Sequence, residues 1–128
     1  MPVTYTIDSA RNIIHTRCEG SVSFEEVITH FKTLTSDPKC PPRLNVLLDL
    51  TGVTSAPTSE QIRRVSSVIG DSRKHLVFDT CAIAVSSELI YGMMRMFEVF
   101  TEENFRQART FRGLDEAQEW LNEQVPGE

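Results

Sequence analysis

A chain of 128 residues, 40% hydrophobic and 24% charged, has the length of one domain with its own core and lies far from the low-hydrophobicity composition of disorder. Its net charge of -5 gives no general attraction to nucleic acid or anionic lipid, which are bound through clustered Lys and Arg, so no nucleic-acid partner is expected. The most apolar stretch, Leu89 to Phe100, is interrupted by Gly92, Arg95 and Glu98 and is too short to cross a bilayer, which takes about 20 apolar residues, so no membrane insertion is expected either.

The chain starts directly into strand-like sequence, Met1-Pro2-Val3-Thr4-Tyr5, without the basic and apolar regions of a signal peptide, and a cytoplasmic location is the expectation. Val3, Tyr5 and Ile7 alternate with Thr4, Thr6 and Asp8, the period-2 pattern of a strand with one buried face. After a polar turn, a second strand from Ile13 to Glu19 sets Ile14, Thr16 and Cys18 against His15, Arg17 and Glu19, so the two read as a hairpin with its polar face in water. Beyond Gly20, Ser23 is a helix N-cap with Glu26 three residues on, and Val22 is placed to staple against Val27. This helix is expected to bury Phe24, Val27, Ile28, Phe31 and Leu34 and to stop before Pro38.

Arg43 to Leu50 contains Val46-Leu47-Leu48, a continuous apolar run that predicts a central strand covered on both faces. A polar loop leads to a second helix capped by Thr58, with Gln61 at the capping-box position, Ile62, Val65 and Ile69 inward, and an end near His75. Thr80 to Val85 reads as another central strand, followed by Ser86-Ser87 and a helix from Glu88 to about Thr101. Gln107 to Arg112 predicts a last strand, and Gly113 to Gln124 a helix burying Leu114, Ala117, Trp120 and Leu121. The pattern predicts one α/β domain over residues 1–128: an N-terminal hairpin, then alternating strands and helices, with a mostly parallel central sheet covered by four helices.

No catalytic constellation is visible, and a non-enzymatic protein is expected. Cys18, Cys40 and Cys81 form no CxxC, and His15, His30 and His75 lack the i, i+4 spacing that sets two ligands on one helix face, so neither a metal nor a cofactor is expected. Cys18 and Cys81 read as buried thiols, Cys40 as an exposed one, and the histidines as surface residues. There is no Gly-rich phosphate loop and no GxSxG elbow. Adjacent acidic residues such as Glu25 and Glu26 sit in helix first turns, where negative charge suits the dipole, and read as solvated.

Thr54, Ser55, Thr58, Ser59, Ser86 and Ser87 follow the two apolar strands. In a parallel sheet such loops gather at the carboxyl edge, so these six form a candidate rim for partner binding or phosphorylation. A helix N-cap calls for the same residue types on structural grounds alone. The helix at 88–101 carries more apolar surface than docking on a sheet consumes: its apolar arc covers roughly 220° at about 100° per residue. Tyr91, Met93, Met94, Met96, Phe97 and Val99 are therefore candidates for a subunit contact, making a homodimer the expectation, or for the wall of an apolar ligand groove.

The element order, the segment Val46-Leu47-Leu48-Asp49-Leu50-Thr51-Gly52-Val53-Thr54 running into a hydroxyl-bearing helix start, and the ending Arg109-Thr110-Phe111-Arg112-Gly113-Leu114-Asp115-Glu116-Ala117-Gln118-Glu119-Trp120-Leu121 together resemble the STAS family of SpoIIAA-like anti-sigma-factor antagonists. The resemblance implies a SpoIIAA-like sandwich and a regulatory module that binds a protein partner. Family antagonists are phosphorylated in an Asp-Ser-Ser-Gly phrase whose matching positions here are Pro57, Thr58, Ser59 and Glu60; the hydroxyls match and the Asp and Gly do not. Glu60 sets a side chain and a negative charge where a kinase would approach. Because the SpoIIAA-like fold is close to that of lipid-carrying domains, the resemblance also implies an alternative: a binder of a small hydrophobic ligand or lipid that uses the Met-rich helix 88–101 as a wall.

Overall fold

A computed structural model describes residues 3–72 and 76–125, and it is an α/β structure with one five-stranded sheet. In chain order the elements are β1 (Val3–Asp8), β2 (Ile13–Gly20), α1 (Phe24–Ser36), β3 (Arg43–Val53), α2 (Ser59–Ser72), β4 (Val77–Ala84), α3 (Glu88–Phe100), β5 (Phe105–Phe111) and α4 (Leu114–Gln124). The strands lie in sequence order, β1 antiparallel to β2 and the rest parallel. The expected end of α2 near His75 lies outside the described residues. No helix among the described residues is long and apolar enough to cross a membrane.

Each parallel connection steps one strand over in the same direction. A fixed right-handed crossover then puts all three connecting helices on one face of the sheet. Helices α1, α2 and α3 accordingly pack side by side on that face, while α4 follows the last strand and covers β3, β4 and β5 from the other side. Two cores result. The larger lies under α1, α2 and α3 and includes Ile14, Leu44, Ile62, Ile83 and Phe97; the smaller joins Ile13, Leu47, Ala82 and Ala84 to Ala117 and Leu121 of α4. Alternation along β2 divides Ile14, Thr16 and Cys18 from the opposite face, on which Arg17 and Glu19 are exposed.

Local chemistry sets the boundaries. Asn12, at φ 55, turns the hairpin in the left-handed region that Asn tolerates. Where the register of β3 against β4 shifts between Leu44 and Val46, the buried Asn45 amide fills the gap: its Nδ2 donates to the Asn12 carbonyl (3.4 Å) and its Oδ1 accepts from Thr80 N–H (3.3 Å). The capping box of α1 forms as the spacing predicts, with Glu26 N–H donating to Ser23 Oγ (3.2 Å) and Ser23 N–H to Glu26 Oε1 (2.9 Å). That of α2 forms between Thr58 and Gln61 (2.9 and 3.2 Å).

Several burial expectations need correction; on α4, Ala117 and Leu121 are buried as expected, while Leu114 and Trp120 are only partly buried at the edge of the smaller core. Among the five apolar residues of α1 only Leu34 is buried, and Phe24, Val27, Ile28 and Phe31 remain half-exposed. On β3, Val46 and Leu48 are likewise half-exposed although they lie on a central strand. For Phe24, Val27, Phe31, Val46 and Leu48 the physical cause is the same: open space separates α1 and α2 from the middle of the sheet.

Candidate functional site

That space is a cavity of about 480 Å³. Its floor is the inward face of the sheet, including Thr16 and Cys18 of β2, Val46 and Leu48 of β3, and Cys81 of β4. Its roof comes from Val27, His30 and Phe31 of α1, Ile62 and Val65 of α2, and Met94 and Phe97 of α3. The exposed lining residues, Ser21 and Ser55, stand in the loops after β2 and β3, so the cavity reaches the surface at the carboxyl edge. These loops are tied together: Thr54 N–H donates to the Gly20 carbonyl (3.0 Å) and Ser55 Oγ to Ser21 Oγ (3.3 Å). Above them the Arg64 guanidinium stacks 4.1 Å from the centroid of Phe24 and clips α2 to α1, and Arg63 over Phe100 (5.1 Å) clips α2 to α3.

The walls are apolar and almost free of charge. No lysine or arginine is among the described residues that line the cavity, and its one acidic side chain, Glu26, is held by the Ser23 N–H. Burial pushes the Cys18 thiol up to about 11 and the Cys81 thiol up to about 12, which keeps both protonated and poorly nucleophilic. His30 packs between Tyr5 (5.4 Å between ring centroids) and Phe31 (5.3 Å), and burial pulls its imidazole down from 6.5 to about 4. It is therefore neutral at pH 7. This corrects the expectation of a surface histidine; on the helical wheel His30 lies about 40° from Leu34, a position that already borders the inward stripe.

The His30 shift has a measurable consequence. Between pH 6.5 and about 4 the unfolded chain binds a proton that the folded chain refuses, so this contribution to stability is complete above pH 6.5 and is lost as pH falls toward 4. The expected loss is roughly 2 kcal/mol, discounted for the partial exposure of the ring. In urea denaturation across that range His30→Phe should remove this part of the pH dependence; a variant whose slope matches the parent would show that another group is responsible.

The residues of the predicted rim stand in different places. Thr54, Ser55, Thr58 and Ser59 are exposed along the loop into α2, and of these Ser55 alone lines the cavity. Thr58 holds its capping box, Ser86 Oγ donates to the Thr51 carbonyl (2.8 Å), and Ser87 caps α3 by accepting from Ile90 N–H (3.3 Å). Ser86 and Ser87 thus have structural hydrogen bonds and stand away from the cavity. Thr58→Ala should cost about 1 kcal/mol in chemical denaturation, with Thr58→Asp retaining most of the stability; equal stability of all three proteins would mean that the cap contributes nothing.

The six candidates on α3 separate into different environments. Met94 and Phe97 are buried within the chain and line the cavity, so their side chains are not on the exposed surface of α3. Tyr91 and Met93 are partly buried against the core; Tyr91 also carries the Arg112 guanidinium 3.8 Å from its ring centroid. Met96 and Val99 are exposed at 36% and 65%, and Leu89, which was not among the candidates, at 67%. With the exposed Gly92 they follow the spacing 89, 92, 96, 99, a narrow apolar stripe along the outer face of α3.

Cys40 is half-buried against the larger core, which corrects its reading as an exposed thiol. The sequence reading missed Thr16, Glu26, His30 and Gln61 as lining residues. No local pattern marks them as a group, because they meet only where α1 and α2 stand off from β2 and β3. No protein-family model and no curated protein sequence matches the chain.

Proposed function

We propose that this protein is a non-enzymatic binding domain for a small apolar molecule held between the sheet and helices α1, α2 and α3. The observation that carries this reading is the cavity of about 480 Å³, within the range of roughly 300–1,000 Å³ typical of small-molecule sites and lined mainly by aliphatic, aromatic and Met side chains. Leaving apolar walls facing solvent costs about 25 cal/mol for each Å² not covered. An apolar occupant that covers those walls offsets much of this cost. Titration with the neutral fluorophore N-phenyl-1-naphthylamine should give a saturable, one-to-one fluorescence increase and a ligand-dependent rise in Tm. A linear, non-saturating signal with unchanged Tm would sink the reading.

A second reading is a STAS-like regulatory module, and the exposure of Thr54, Ser55, Thr58 and Ser59 beside the cavity mouth favours it. On this reading the rim is the surface that a protein partner contacts. The stripe on α3 supports self-association as well: in an antiparallel pair about a twofold axis, Leu89 of each copy faces Val99 of the other and Met96 enters the gap left by Gly92.

A further inference from the structure

We propose that the cavity selects neutral, predominantly apolar molecules bearing a single hydroxyl or carbonyl oxygen and rejects alkyl carboxylates of the same length. This inference rests on the cavity's being a ligand site and specifies what that site takes.

The charge pattern argues against an anion. A carboxylate drawn into an apolar space needs a cation or several donors aimed at it, since an unpaired buried charge is costly. No lysine or arginine is among the described lining residues. Arg64, whose guanidinium lies 4.1 Å from the ring centroid of the lining residue Phe24, is exposed and outside the cavity. Glu26 adds a like charge on the α1 side, one helical turn before His30.

The polar groups that do line the cavity suit one uncharged oxygen. Thr16 is only 4% exposed, and its hydroxyl makes no side-chain hydrogen bond among the described residues; the same holds for the ring nitrogens of His30. Thr16 lies directly across from Tyr5 in the strand register, and the Tyr5 ring packs against His30 at 5.4 Å, so Thr16 and His30 belong to the same end of the cavity. The Tyr5 hydroxyl is engaged with Asp37 Oδ2 (2.7 Å) and does not compete. A hydroxyl and a neutral imidazole each offer a donor and an acceptor, so the pair can serve an alcohol or a ketone. An apolar ligand without such an oxygen displaces water from these groups without replacing its hydrogen bonds, which lowers its affinity.

The test is displacement of N-phenyl-1-naphthylamine at pH 7.5 by 1-decanol, 2-decanone and decanoate, in the parent protein and in Thr16→Val and His30→Phe. In the parent, decanol and decanone should displace the probe at concentrations at least tenfold lower than decanoate. At least one of the two variants should weaken decanol about five- to tenfold relative to its own affinity for the probe, as expected for one lost hydrogen bond. If the probe binds but decanoate competes as well as decanol, or neither variant alters decanol relative to the probe, the inference is overturned and the cavity remains an apolar site. If the probe does not bind to the parent at all, the binding reading fails and this inference fails with it.

Discussion

The double substitution Val46→Phe, Leu48→Phe should abolish binding of a neutral apolar probe and raise Tm. Both side chains stand on the central strand β3, yet both are half-exposed because they face the cavity rather than a packed helix. Two phenyl rings there would occupy space that is otherwise about 480 Å³ and would meet Val27, Phe31 and Val65 from the roof. Filling a cavity commonly stabilises by about 0.5–2 kcal/mol, equivalent to roughly 2–8 °C in Tm for a domain of this size. Affinity for N-phenyl-1-naphthylamine should fall by at least tenfold, since the same volume cannot hold both. Calorimetry and fluorescence titration measure the two effects on one sample. A variant that melts lower and still binds the probe would place the binding elsewhere and show the centre of the sheet to be already filled.

The second large effect separates two positions on one helix. Met94→Lys should destabilise the protein by about 3 kcal/mol or more, because Met94 is 7% exposed and belongs to the larger core at the cavity wall, where an ammonium loses its hydration. Val99→Lys should change stability by no more than about 0.5 kcal/mol, because Val99 is 65% exposed. Urea denaturation gives both values. Sedimentation of Val99→Lys adds the self-association test: a shift from dimer to monomer supports pairing through the α3 stripe, and a parent protein that is already monomeric at micromolar concentration removes it. Equal stability of the two variants would contradict the orientation of α3.

Fold class was largely legible in the residues because the signals are local. The capping boxes at Ser23 and Thr58 join residues three apart, so their hydrogen bonds depend on nothing distant. Alternation in β1 and β2 and the apolar runs in β3 and β4 reflect which faces are covered, and the short connections with a fixed crossover hand leave few topologies to choose from. Boundaries were less legible. Strand β4 begins at Val77, before the apolar run, and β5 begins at Phe105, because pairing with a neighbour extends a strand past its own hydrophobic pattern.

Local sequence pattern set the type and order of the elements, the caps that start α1 and α2, and the inward side of β2, all through periodicity and contacts within about one helical turn. Packing between distant elements makes Phe24, Val27 and Phe31 line open space instead of filling it, leaves His30 neutral beside Tyr5, and gives Met94 and Val99 opposite fates on one helix. Those outcomes depend on how far α1 and α2 stand from the sheet. That distance is set jointly by side chains from β2, β3, α1, α2 and α3, residues separated by tens of positions, and no single segment carries it.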